Sequence, residues 1–496
     1  MTRKNKLLFN VSSSLIHQIV TVICGLILPR VFISYFGSEI NGLVASITQF
    51  ISIIAFLELG IGAVVQASLY KPLAKKRYDE ISAIISSSNR FFRNLGKLLL
   101  LYLIVLFFIY PILINSSYSF YFTSSLILIL AISTFAQYFF SISYQLLFNA
   151  DQLAFIPLIT NTGVTIANTI LVIILIRLNF SLHVVKLVSA IIFLIKPILF
   201  KIIVKKKYNL NLKIKYETEP IKQKWNGIAQ HIAYVVLSST DILVLSVFSS
   251  LNVVSVYSIY SMIINGVKQI VLSSTNGILS LFGNMLANNE NEKLKHIFTK
   301  YVWFKHTLVV ILFTITGVLI IPFISLYTAK IEDFNYIYPT FGVLITLSQA
   351  LYCLRLPYNQ IVLAAGHFKQ TQNSAIVEAS INIIISIILV RKFGLIGVAI
   401  GTAVAMGYRT IYLAWYLSSN IIHFAISNFL KHLFVDFVSV VLMVFLTRIL
   451  SLQVSSYIEL ISLAFKVTVI CIFVSLIINF IFYPKILLSM RHGIRR

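Results

Sequence analysis

Long apolar runs, each separated from the next by a short polar or basic segment, fill almost the whole chain. They fall at 13–37, 40–70, 94–115, 121–148, 154–177, 183–204, 226–249, 252–284, 303–326, 338–364, 371–391, 395–418, 431–452 and 457–483. A helix rises 1.5 Å per residue, so about 20 apolar residues cross the ~30 Å hydrocarbon layer of a bilayer. The pattern predicts an all-α integral membrane protein of about fourteen transmembrane helices, with a twelve-helix count left open. Runs 2, 8 and 10 exceed the bilayer thickness, which predicts tilt or protrusion.

Composition agrees with that reading. Of 496 residues, 58% are hydrophobic and 11% charged, whereas a soluble domain is about a quarter charged. The net charge of +25 would suit nucleic acid if it formed one patch, but it is spread over short loops between apolar runs. No nucleic-acid partner is expected. Lys4 and Lys6 precede an apolar run without a small-residue cleavage site, so no cleaved leader is expected. Bulky Ile23 before Cys24 argues against lipidation there. Cys24, Cys353 and Cys471 all fall in apolar runs and suggest neither a metal site nor a disulfide framework.

Basic residues set the expected orientation, because Lys and Arg in short loops stay on the cytoplasmic side. With the N-terminus inside, the inner segments carry Lys6, Lys71, Lys75, Lys76, Arg77, Arg90, Arg93, Lys97, Lys205, Lys206, Lys207, Lys293, Lys295, Lys300, Lys305 and Lys485. The outer ones carry only Arg177, Lys186, Lys330, Arg391, Lys392 and Arg448. Both ends are therefore expected to be cytoplasmic.

The chain also resembles itself at a long period, since the first six runs fall on the next six when the sequence is shifted by about 213 residues. Leu73-Ala74 then meets Leu286-Ala287 and Asp79 meets Glu292, and at nearly the same shift Gln145 meets Gln360 and Asn168 meets Asn382. An even number of helices per half makes the repeats parallel, an arrangement that builds two lobes with a site between them. The expected organisation is an N-lobe at 1–204, a cytoplasmic linker at 205–224, a C-lobe at 225–418, and two extra helices with a tail at 419–496.

Ionisable side chains expected at mid-membrane depth each cost at least ~2.5 kcal/mol and so need a reason. They are Arg30, Glu58, Asp241, Lys268, Arg355, Glu378, Arg409, Asp436 and Lys466. In the repeat, Asp241 falls near Arg30 and Lys268 near Glu58. This suggests that Arg30 and Lys268 line a cavity and bind an anionic headgroup, with Asp241 and Glu58 as partners when it is empty. Glu58 is also a candidate for proton or ion exchange. The plainer alternative is that each charge pairs within its own lobe or snorkels. Arg355 and Arg409 are further cavity candidates, although Glu378 on the intervening helix points to a network within one lobe. Asp436 and Lys466 are expected to pair with each other, and His17 to be a satisfied polar residue. Pro29 predicts a kink beside Arg30, and Gly394, Gly397 and Gly401 predict close helix packing.

The block from Leu26 to Ala74 resembles the bacterial polysaccharide-transporter branch of the MOP superfamily, the lipid-linked oligosaccharide repeat-unit flippases. The "FLELGIG" run (Phe56 to Gly62) resembles that family's acidic-x-Gly-x-Gly element, and "KFGLIGVAIGTAVA" (Lys392 to Ala405) its glycine-rich helix 12. The resemblance implies a V-shaped, pseudo-twofold pair of six-helix lobes with alternating access. It also implies a bacterial cytoplasmic membrane location and an undecaprenyl-pyrophosphate-linked oligosaccharide as substrate, carried to the outer leaflet for polysaccharide synthesis beside a polymerase and related proteins. An ion gradient of H+ or Na+ would drive it, with Glu58, Asp241 and Glu378 as coupling or gating candidates; no other cofactor is implied.

Two relatives in the same superfamily compete with that reading. A multidrug antiporter should favour acidic over basic cavity residues, while a peptidoglycan-precursor flippase would handle a similar pyrophosphate. A membrane polysaccharide polymerase would need a large outer loop with catalytic groups. The outer loops here are short, and no His/Asp/Glu constellation stands in them. An enzyme is not expected.

Overall fold

The computed structural model describes residues 3–54, 59–114, 116–212, 228–275, 278–422 and 424–487. They form eighteen α-helices in two compact units, Met1–Ser255 and Val256–Arg496. The first unit contains α1 (Arg3–Phe36), α2 (Ser38–Ser52), α3 (Leu59–Ala74), α4 (Tyr78–Leu113), α5 (Phe120–Phe140), α6 (Ile142–Ala150), α7 (Phe155–Arg177), α8 (Leu182–Lys207) and α9 (Ile228–Phe248). It ends in the first turn of α10 (Leu251–Ser273). The second holds the rest of α10, then α11 (Ile278–Ala287), α12 (Asn291–Tyr327), α13 (Pro339–Leu354), α14 (Leu356–Ala364), α15 (Phe368–Phe393), α16 (Leu395–Asn420), α17 (Ile426–Thr447) and α18 (Tyr457–Phe482).

Each apolar run became a helix or a pair of short helices. Among the described residues, eleven helical segments are long and apolar enough to cross a membrane. The protein is thus a multi-pass membrane protein. Its outer faces carry large apolar side chains that water would not tolerate as a continuous surface: Ile112 is 81% exposed, Ile458 82% and Phe480 71%.

The repeat is visible in the helix boundaries. α2 begins at Ser38 and α10 at Leu251, α4 at Tyr78 and α12 at Asn291, α7 at Phe155 and α15 at Phe368, α8 at Leu182 and α16 at Leu395; the two starts are separated by the same length of chain in every pair. Interruptions recur as well. The fourth run breaks at Ser141 and the tenth at Arg355. Pro357 accounts for the second, since it has no N–H to donate to the carbonyl of Cys353 and its ring crowds that turn.

Three helices, α1, α4 and α12, start well before their apolar runs. α4 and α12 extend toward the N-terminus on polar turns that carry Asp79, Glu80 and Glu292, acids that suit the positive end of a helix. One face of each extension is still buried, through Ile81, Ile84 and Ile85 in α4 and Leu294 and Phe298 in α12. α1 runs unbroken through Pro29. Gly37, with φ of 86°, separates α1 from α2, and Gly394, with φ of 52°, turns α15 into α16; both values lie where a Cβ is poorly tolerated. The antiparallel pair α15–α16 then packs backbone to backbone. A Cβ on Gly397 would lie 2.5 Å from the carbonyl of Leu389.

Candidate functional site

Helices α10, α12, α13, α15 and α16 of the second unit bring five charged side chains into one apolar setting. On α10, Lys268 donates from Nζ to Gln349 Oε1 at 3.0 Å and sits 3.7 Å from the centroid of the Tyr352 ring. The guanidinium of Arg355, at the joint of α13 and α14, lies 4.4 Å from the same ring, so one aromatic π-system serves two cations. Arg355 Nη1 also donates to Glu378 Oε1 on α15. The other oxygen of Glu378 is 3.8 Å from Arg409 Nε on α16. Arg409 Nη1 completes the group by donating to the Thr371 carbonyl at 3.0 Å and to Ser374 Oγ.

A fourth cation adjoins them. Lys305 on α12 is fully buried, and its Nζ donates to the Val271 carbonyl at 2.9 Å and to Ser274 Oγ at 2.5 Å. Those acceptors lie at the C-terminal end of α10, where a helix leaves its last carbonyls without internal donors and carries partial negative charge. Buried Cys353 lies within electrostatic reach of Lys268, Lys305 and Arg355.

The cluster therefore sets Lys268, Lys305, Arg355 and Arg409 against the single carboxylate of Glu378. Arg355, Arg409 and Glu378 are all buried, while Lys268 is half-buried and the least enclosed of the cations. Uncompensated cations in a low-dielectric setting repel one another and attract anions strongly. Planar guanidinium groups beside an ammonium suit phosphate oxygens.

Of the sequence candidates, Lys268, Arg355, Glu378 and Arg409 are thus brought together, and the last three form a network within one unit. Arg30, half-buried in α1, and Asp241, buried in α9, belong to the first unit, and both are engaged. Glu58 and residues 213–224 of the linker lie outside the described residues.

Three sequence expectations are corrected. Lys305 is not a loop residue: Phe298, Val302, Lys305 and Val309 follow one another at steps of four, three and four on the buried stripe of α12. That spacing was the available signal. Lys186, expected in an outer loop, lies inside α8 with its Nζ 4.0 Å from the Phe32 ring centroid. Asp436 does not pair with Lys466. It accepts from His306 Nδ1 at 2.6 Å, because its side of α17 faces α12, whereas Lys466 is exposed on α18 beside exposed Phe465. His17 is satisfied by Thr162 Oγ1 at 3.1 Å.

No protein-family model and no curated protein matches the chain. Solved structures do. The lipid II flippase MurJ in an inward closed conformation superposes with a TM-score of 0.71 at 19% identity, covering 97% of this chain and 100% of that one. An inward-facing multidrug resistance MATE family transporter of the MOP superfamily gives a TM-score of 0.52 at 13% identity, covering 83% and 99%. A mutant of the Vibrio cholerae MATE transporter VcmN gives 0.52 at 14%, covering 85% and 96%. These neighbours are transporters and flippases rather than enzymes. The chain, helical throughout its described residues outside short turns and built from a repeated half, has the fold seen in the solved MurJ and MATE structures.

Proposed function

We propose that the protein is a flippase for an undecaprenyl-pyrophosphate-linked oligosaccharide, moving it from the cytoplasmic to the outer leaflet of a bacterial cytoplasmic membrane for polysaccharide synthesis. The observation that carries this reading is the cluster itself, in which, among the described residues, four cations stand beside the one carboxylate of Glu378. A pyrophosphate bridging a lipid and a glycan is the kind of anion such a cluster would attract. Lys268 is the proposed point of first contact, since among the described residues Gln349 and the Tyr352 ring hold it and no carboxylate pairs with it. Arg355 and Arg409 hold the headgroup behind it, and Arg30 on the first unit is a further contact. Glu378 exchanges partners as the headgroup arrives, while Asp241 and Glu58 serve the coupling ion. With both termini cytoplasmic, a polysaccharide polymerase on the outer side is the natural recipient.

A second reading is favoured by the full-length likeness to MurJ: the same cluster would accept the pyrophosphate of a peptidoglycan precursor. One assay separates the readings. Protein in proteoliposomes is offered a lipid-linked oligosaccharide, lipid II, or a cationic dye. Transport of the first is expected, with Lys268→Glu slowing it at least about tenfold, which corresponds to about 1.4 kcal/mol, and Lys268→Arg retaining most of the rate. Preference for lipid II selects the second reading. Dye export without lipid movement, or a full rate in Lys268→Glu, overturns both.

A further inference from the structure

A second buried polar group in the second unit has no part in the cationic cluster. It lies where α12 meets α17 and α18, the helices outside the repeat. His306, 1% exposed, has its Nδ1 2.6 Å from Asp436 Oδ2. Its Nε2 lies 3.5 Å from the Tyr358 hydroxyl of α14, and its ring stacks against His432 of α17 with centroids 4.9 Å apart. His432 in turn bonds the Tyr483 hydroxyl through Nδ1 at 2.7 Å and lies flat on that ring, at 15°. Trp303 and Asn479, joined at 2.5 Å, flank the group beside a cavity of about 10 Å³, the space one water centre needs. Lys431 places its Nζ 4.9 Å from the centroid of the Tyr483 ring, and Lys305 precedes His306 in α12.

With both imidazoles neutral, this pocket holds one carboxylate and, among the described residues, no cation in contact with it. A buried lone charge is costly, and adding one proton to His306 converts it into a neutral imidazolium–carboxylate pair. A second proton on His432 would set two like charges face to face, which is disfavoured. Histidine is also the side chain whose ordinary titration falls near neutrality. We infer that His306, Asp436 and His432 form a proton-binding site that takes up a single proton, which rests on His306 against Asp436.

The site is placed to influence its neighbours. Lys305, the residue before His306, grips the end of α10, and Tyr358 is one helical turn beyond Arg355. A proton on His306 Nε2 turns that nitrogen from acceptor to donor toward Tyr358, which reorients the hydroxyl on the helix that begins at Arg355. A coupling role in transport rests on the flippase reading above; proton binding itself does not.

Full-length protein in lipid nanodiscs, titrated between about pH 8 and pH 5 and followed by infrared difference spectroscopy, tests the site directly. A histidine protonation signal accompanied by a perturbed carboxylate is expected in the wild type. It should disappear in His306→Gln and in Asp436→Asn, and persist in His183→Gln, which alters a histidine of the first unit. Each variant is scored only when it elutes as a folded monodisperse species, and either one alone decides. A signal unchanged in a folded variant overturns the proposal, as does its absence from wild type. In proteoliposomes, a pH gradient should change lipid transport by wild type but not by His306→Gln. Failure of that arm with the infrared signal intact removes the coupling role and leaves the proton site standing.

Discussion

Replacing Glu378 with Gln lowers stability by about 3–5 kcal/mol, the usual result of removing one partner from a buried ion pair. The carboxylate contacts Arg355 through one oxygen and Arg409 through the other. Without it two buried guanidinium groups face each other with only neutral acceptors, Thr371 and Ser374, and the Tyr352 and Tyr412 rings nearby. Thermal unfolding of purified protein in detergent reads the loss. The triple change Glu378→Met, Arg355→Met and Arg409→Met should recover much of it, because exchanging a whole buried ionic group for apolar side chains is close to neutral. A single variant that melts with the wild type would show that the carboxylate does not hold this cluster together.

Gly397→Val and Gly401→Val each destabilise the α15–α16 pair by about 1–3 kcal/mol through overpacking. At Gly397 the added carbon meets backbone, which cannot swing aside as a side chain can. At Gly401 it meets Ser386, with the Ser386 amide nitrogen at 3.0 Å and the Asn382 carbonyl at 3.2 Å. Gly407, one to two turns further along α16, is the control: its nearest neighbour is Leu351 Cδ1 at 3.8 Å, so Gly407→Ala should unfold with the wild type. Equal melting of all these proteins would mean that the two helices separate without cost. Because this pair carries Glu378 and Arg409, the flippase reading expects lipid transport to fall along with stability in the valine variants.

Much of the fold could be read from the sequence because lipid imposes a simple rule. A helix must hydrogen-bond its own backbone and show apolar side chains outward, so each apolar run reveals a crossing. The rule says nothing about interruptions inside a run. Ser141 and Arg355 sit in stretches that remain apolar on either side, and only Pro357 hinted at one of the breaks. It equally hides helix that continues into polar surroundings, which is why the first turns of α4 and α12 were missed.

The charged trio Arg355, Glu378 and Arg409 was visible because opposite charges on consecutive membrane helices have few other partners. Lys305, at the start of its apolar run, was counted with the basic segment Lys293, Lys295 and Lys300 before it, although its spacing from Phe298 and Val302 marked it as buried. The partner of Asp436 was beyond reach of the pattern. Whether it turns toward α12 or α18 depends on the rotation of α17, and a helix apolar nearly all round does not reveal its rotation.

The four cations all belong to one half of a duplicated chain. Counting back by one repeat, with a single-residue slip at the broken helix, Lys305 corresponds to Phe92, Glu378 to Thr165 and Arg355 to Ser141; only Arg409 has a basic counterpart, Lys196. The two copies have specialised unequally. Under the flippase reading, a captured pyrophosphate would be held mainly by the second half, whose anchoring groups all lie within one compact unit.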